Sequence, residues 1–311
     1  MAEFLIRGDN RLLPRGTFNL EDTVVFRGTR ADDLLLAGGG EIESTFLGTR
    51  GDDFYAVSPD VDEEFWPLMI VDYAASPSGV RVDLTYDGGT RAVVDEFGET
   101  RSLRVLGRAE DGFGDVDLFG ASPTGIFSSI FEVRGSPFDD RILGAGAKVF
   151  AGAGDDFVRS GASYGWISGG TGADVLVSGA GEDVLNPDVE RFESDPAGPR
   201  DGDRDVIRIT RCDLGDFTDQ VLARAFEEDV DQIRFADAVR GGADFRVFHE
   251  ARSVEQIGYL QQAADRADLR NTVLQIDWNG DGFGKGDLDL ADYFMVVVDA
   301  DLTLRDGYLL T

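Results

Sequence analysis

The chain has little of what usually staples, spans or catalyses. Cys212 is the single cysteine in 311 residues, so no intrachain disulfide framework is available, and a buried or inert thiol is expected. Histidine also occurs once, at His249; Glu250 follows it but Ser253 stands where a second histidine would complete H-E-x-x-H, which excludes that zinc-protease site. Lysine is confined to Lys148 and Lys285. No run of 18 apolar residues is present, and Met1–Asp9 lacks the charged start and long apolar stretch of a signal peptide, so no membrane insertion is expected. Positive charge is scarce overall: 29 basic against 60 acidic residues give a formal net charge of −31, which makes nucleic acid and anionic membranes poor partners.

What is abundant is glycine, at 40 residues, and aspartate beside it. The two recur together at nine-residue spacing in Ala151-Gly-Ala-Gly-Asp-Asp156, Gly169-Gly-Thr-Gly-Ala-Asp174 and Ser178-Gly-Ala-Gly-Glu-Asp183. Each unit offers a glycine-rich bend followed by a short strand with one apolar residue. The apolar positions Val149, Val158, Ile167, Leu176 and Leu185 keep the period even where the turn sequence has decayed. If two units make one coil, turns eighteen residues apart stack on the same edge, and Asp156 and Asp174 share one gap. Two carboxylates about 5 Å apart repel by roughly 3 kcal/mol at an effective dielectric of about 20. A hard cation relieves this, and calcium, with its six to eight oxygen ligands, fits such a gap better than magnesium. On the opposite edge the corresponding positions are Ala147, Gly165 and Asp183, so at most one weak site is expected there.

These units resemble the G-G-x-G-x-D-x-U-x nonapeptide of the repeats-in-toxin (RTX) family, a calcium-binding parallel β-helix repeat. The resemblance implies calcium ligation around Gly152, Gly154, Asp156, Gly170, Gly172, Asp174 and Asp183. Gly135-Ser-Pro-Phe-Asp139-Asp140 is similar to the turn that leads into such a roll, although Asp140 to Asp156 is sixteen residues rather than eighteen, as if two were deleted near Gly144–Lys148. Gly28-Thr-Arg-Ala-Asp32-Asp33 and Gly48-Thr-Arg-Gly-Asp52-Asp53 repeat the theme twenty residues apart and place a further candidate site between Asp33 and Asp53. Val71–Leu84 alternates apolar and polar residues as a half-buried strand does, Gly112–Leu118 continues the pattern, and 56–70 and 86–106 read as inserts.

The carboxyl third has a different texture. Asp203–Ile209 reads as a strand, and Ser253-Val-Glu-Gln256 has the form of a capping box opening a helix of about 15 residues. Thr272–Gly282 resembles a strand and loop of the C-terminal domain of serralysin-type secreted proteases. There Asp277, Asn279 and Asp281 match the opening of an EF-hand loop, but Leu288 occupies the position of its bidentate glutamate, leaving a calcium loop and an acidic hairpin turn both open. The ending Leu302–Thr311 is similar to the uncleaved signal read by type I exporters, and reads equally as a last strand.

Gly161-Ala-Ser163-Tyr-Gly165 matches G-x-S-x-G but falls in register as a degenerate nonapeptide with no following helix. The paired aspartates are accounted for by turns, so no catalysis is expected. The expectation is thus a mainly β protein: a right-handed parallel β-roll over 131–190, degenerate β-coils over 1–130, and a mixed, mostly β domain over 191–311. The resemblance implies secretion through type I machinery to the cell surface or beyond, with calcium-triggered folding. It leaves as alternatives an adhesin or matrix component and an accessory module of a polysaccharide-modifying enzyme, each with an extracellular partner the sequence does not name.

Overall fold

Short apolar runs closed by glycine–aspartate turns become strands in the computed structural model. It describes residues 3–7, 23–37, 43–57, 68–94, 98–121, 130–145, 148–162, 165–180, 182–188, 201–210, 220–223, 226–237, 239–240, 242–250, 271–277, 292–297, 300–306 and 309–311. The protein is mainly β, with parallel and mixed sheets and no helix among the described residues. The helix expected from Ser253 lies outside them. The chain divides into two units, Met1–Gly152 and Ala153–Thr311, with the division inside the nonapeptide stretch.

In the first unit, one sheet runs in the order Glu3–Arg7, Thr23–Arg27, Glu43–Leu47, Leu68–Asp72, Ile130–Arg134, Lys148–Ala153, and its pairings are parallel. The other runs Leu34–Ala37, Phe54–Val57, Val116–Ala121, Thr100–Glu110, Arg81–Asp83, Arg141–Ala145. Thr23 pairs with Glu43 and Leu34 with Phe54, so a step of twenty residues moves the chain one strand over in each sheet. Between the sheets Phe26, Phe46, Tyr55 and Phe119 stack ring on ring, with centroids 4.8, 5.3 and 6.2 Å apart.

Strands Leu34–Ala37 and Phe54–Val57 are buried on both faces because a second layer covers them. The expected insert at 86–106 supplies it: Gly89–Val94 pairs antiparallel with Thr100–Glu110, and Val93, Leu103 and Val105 close over Leu34, Leu36, Phe54 and Ala56. The run 71–84 differs from the single strand its alternation predicts. It splits into Leu68–Asp72 in one sheet and Arg81–Asp83 in the other, around a turn at 74–75. Pro77 offers no N–H to a ladder, and Gly79 passes so close to Asp139 that an added Cβ would lie 2.0 Å from its carbonyl oxygen. Alternation alone does not register such a corner. The sixteen-residue step is genuine in this unit, since Glu132 pairs with Lys148 and Val133 with Val149.

In the second unit Gly165–Thr171, Glu182–Asn186, Gln220–Ala223 and Asp292–Val297 pair in parallel, and Asn271–Asp277 and Asp244–Glu250 extend them antiparallel. The second sheet takes Phe157–Ser160, Val175–Val177, Val206–Arg208 and Gln232–Arg234 in parallel, then Leu309–Leu310 and Leu304–Arg305 antiparallel. Val158, Leu176, Ile207, Ile233 and Leu310 form one in-register apolar column with no exposed surface. The chain's last leucines are therefore built into a sheet. Ile167 and Leu185 are equally buried and directly paired in the other sheet.

Candidate metal centre

Asp156, Asp174, Asp205 and Asp231 each stand immediately before a strand, where the main-chain N–H has left one ladder and not yet joined the next. In the second unit the neighbouring coil supplies the acceptor. Asp156 N–H donates to Asp174 Oδ1 at 2.8 Å, Asp174 N–H to Asp205 Oδ1 at 2.7 Å, and Asp205 N–H to Asp231 Oδ1 at 3.1 Å. The result is a column of four carboxylates, each no more than 2% exposed.

The turns that carry the column are set by glycine. Gly170 and Gly172 have φ of +117°, matching +118° at Gly152 and +115° at Gly154, in the region L side chains avoid. A Cβ at Gly172 would lie 2.3 Å from the Gly154 carbonyl oxygen, so adjacent turns stack backbone on backbone. Gly172→Ala should accordingly cost about 1–3 kcal/mol in urea unfolding, combining strain with that clash. Gly202→Ala, at φ +80° with open space around it, should cost less. Equal losses would show that stacking contributes nothing.

Beside the column lies a second row of carboxylates. Gly172 N–H donates to Asp201 Oδ2 at 2.7 Å, Asp203 N–H to Asp201 Oδ1 at 2.8 Å, and Asp201 N–H to Asp188 Oδ1 at 3.3 Å. Asp188, Asp201 and Asp205 thereby bring three carboxylate oxygens within 4.8 Å of one another, and together they could hold a metal ion. Among the described residues no hydrogen-bond donor reaches the buried Oδ2 of Asp188, Asp205 or the adjacent Asp174, and these three are at most 2% exposed. None of the three cluster residues has an ion-pair partner among the described residues. Buried acceptors are almost always paired, so the arrangement lacks a cation and the residues present fit one. Desolvation, reinforced by the neighbouring carboxylates, pushes the carboxyls far above their usual range: Asp174 to about 9, Asp205 to about 8, Asp188 to about 7 and Asp231 to about 6.

The first unit has a column of the same design with a different outcome. Asp33 N–H donates to Asp53 Oδ1 at 2.9 Å and Asp53 N–H to Asp117 Oδ1 at 3.2 Å. Here the remaining oxygens find protein donors. Thr49 Oγ1 donates to Asp53 Oδ2, the Tyr73 hydroxyl to Asp117 Oδ2 and Thr29 N–H to Asp33 Oδ2, while the Tyr55 hydroxyl, 3.2 Å from Asp53 Oδ2 and 3.3 Å from Asp117 Oδ2, has one proton to share between these two carboxyls. Burial still raises Asp117 to about 8 and Asp53 to about 6. Asp140 is held similarly, by Ser136 N–H and Oγ at 2.6 Å each and by Val80 N–H at 2.7 Å. On the other edge of the second unit, Asp183 takes Ser160 Oγ at 2.5 Å and Gly179 N–H at 2.9 Å.

The structure thus joins Asp156 with Asp174 and Asp33 with Asp53, and it sets Asp183 apart. Asp277, 1% exposed, ends its strand in register between Asp244 and Asp292, whereas Asn279 and Asp281 lie outside the described residues. Sequence reasoning missed Asp117, Asp188, Asp201, Asp205 and Asp231. The available signal was the alternation Asp201-Gly-Asp203-Arg-Asp205 just before an apolar strand, the same position that Asp156 and Asp174 occupy. It was masked because the step from Val175 to its partner Val206 breaks the eighteen-residue period. No protein-family model matches the chain, and a search of curated proteins returns no match.

Proposed function

We propose that this chain is a secreted calcium-binding repeat protein, built as a right-handed parallel β-roll with a mixed, mostly β C-terminal part, whose folding is switched on by extracellular calcium and whose role is structural or binding without catalysis. The carrying observation is the Asp188, Asp201 and Asp205 cluster with its buried, unpartnered oxygens. Carboxylate and carbonyl oxygen without nitrogen or sulfur is the ligand set of a hard cation, and calcium tolerates irregular oxygen cages that magnesium does not. When bound, calcium supplies the positive charge the cluster lacks.

Asp188, Asp201 and Asp205 would hold the ion, with Asp174 next to them. At the low calcium of a cytoplasm the unneutralised carboxylates keep the chain loose enough for export through type I machinery, and at the millimolar calcium outside the fold closes. A ligand at 100 times its dissociation constant adds about 2.7 kcal/mol per site, so a few sites decide folding. The resemblance of the glycine–aspartate turns to RTX repeats supports the same reading, as does the excess of acidic residues.

The test is a calcium titration from chelator to about 10 mM, followed by far-UV circular dichroism and thermal melting, with magnesium as control. The expected result is a cooperative gain of β-structure and melting temperature specific to calcium. A chain fully folded in chelator, with melting indifferent to calcium, would overturn the reading.

A further inference from the structure

Against the acidic whole, one cleft in the first unit collects arginine. Arg81, Arg108 and Arg141 line it together with Asp83, Glu110 and Leu143. Strand register explains the convergence. Arg141 pairs directly with Arg81 on a parallel strand, and Arg81 pairs with Glu110 on the antiparallel one. In the next row, Leu143 pairs with Asp83 and Asp83 with Arg108. Val82, Ile142 and Ala109 between them are buried, so the side chains of Arg81, Asp83, Arg108, Glu110, Arg141 and Leu143 share the outer face.

Two guanidinium groups directly opposite each other on neighbouring strands repel unless something lies between them. The carboxylates at hand do not fill that role for Arg81. Asp83 Oδ1 is turned to Thr85, accepting from its N–H at 3.0 Å and its Oγ1 at 2.6 Å. Among the described residues the side chains of Arg81 and Glu110 form no ion pair or hydrogen bond. Arg108 is positioned separately, its guanidinium 4.9 Å from the centroid of the Tyr86 ring. The cleft therefore presents the planar, bidentate donors of Arg81 with Arg141 beside it, acceptors from Glu110 and Asp83, and the apolar side of Leu143.

We propose that this cleft binds an acidic sugar, its carboxylate or sulfate held by the Arg81 fork on the side that faces Arg141 and its hydroxyls donated to Glu110 and Asp83. Guanidinium forks match either oxyanion, carboxylate acceptors take hydroxyl donors, and Leu143 meets a C–H face of the ring. None of these residues belongs to the metal centre, so the proposal is independent of the calcium reading and is tested at one fixed calcium concentration.

The experiment is NMR or calorimetric titration of the full chain with glucuronate, glucose 6-sulfate, glucose and acetate. Glucuronate or the sulfate ester should bind while glucose does not. Loss of one charged hydrogen bond in Arg81→Gln should weaken that binding by about tenfold or more. Arg240→Gln, far along the sequence in the second unit, should leave it unchanged. Should Arg81→Gln fail to fold, Glu110→Gln serves instead, tightening acetate while weakening glucuronate relative to it. The proposal is overturned if neither acidic sugar binds up to about 50 mM, if glucose binds as well as they do, or if Arg240→Gln weakens binding equally. Acetate binding as tightly as glucuronate would overturn its sugar component.

Discussion

Replacing Asp205 by asparagine should raise the melting temperature in chelator and lower it in millimolar calcium, each relative to the unchanged protein. The melts are run at about pH 9, above the value of about 8 to which burial raises Asp205, so that in chelator it is a charge 1% exposed, its carboxylate within 4.8 Å of those of Asp188 and Asp201. Each such pair costs roughly 3 kcal/mol at an effective dielectric of about 20. Asparagine keeps the Oδ1 acceptor that Asp174 N–H uses at 2.7 Å, removes the charge, and puts a donor where Oδ2 had none. A net gain of about 1 kcal/mol would shift melting by about 2–4 °C in a domain of some 150–250 residues. In calcium the same change removes a ligand, and the stabilisation that binding contributes is reduced. The crossed sign is the point of the measurement. A variant that melts lower under both conditions marks the cluster as an ordinary hydrogen-bonded turn, and one that melts higher under both removes any role for a metal there.

The second large effect is on pH. The raised carboxyls of Asp174, Asp205, Asp188 and Asp117, at about 9, 8, 7 and 8, hold protons that the unfolded chain, near 3.8, has released. Between those limits the folded state binds more protons than the unfolded one, so stability is fully present below about pH 4 and is lost as pH rises through the folded values. In chelator the urea midpoint should fall steadily from about pH 5 to about pH 9, opposite to the behaviour of salt-bridged carboxylates. Calcium needs the ligands ionised, so it competes with those protons: the decline should flatten or reverse, and binding near neutral pH should release protons. Midpoints that rise with pH in chelator would mean that these carboxylates are already ionised and paired in the folded chain.

How much of this was legible in advance follows from what the period encodes. Val158, Leu176 and Leu185 were readable as core because a nine-residue step places each of them inside whatever the turns do, and Asp156 and Asp174 were readable as neighbours because eighteen residues separate them. Once the chain takes longer excursions, spacing carries no information. Asp205 and Asp231 occupy the same column, and Asp117 stands to Asp53 as Asp53 stands to Asp33, yet nothing in the intervals announces it. Local texture could have found Asp205 and Asp231, since each is an aspartate directly before a short strand, whereas Asp117 is the second residue of its own. The corner at Pro77–Gly79 was hidden for another reason: alternation along one strand and alternation across two strands joined by a turn look alike.

The carboxylate columns are nearly blind to what the chain does between their rungs. Asp33 reaches Asp53 after 20 residues and Asp53 reaches Asp117 after 64, by the same kind of hydrogen bond. Closing the longer loop costs only about 1 kcal/mol more, because loop entropy grows with the logarithm of length. The hairpin of 89–110 was accommodated inside that interval with both adjoining strands still in parallel register. Such a scaffold can lengthen its excursions independently of one another, so new surface can be added at one level of the stack while the levels above and below keep their alignment.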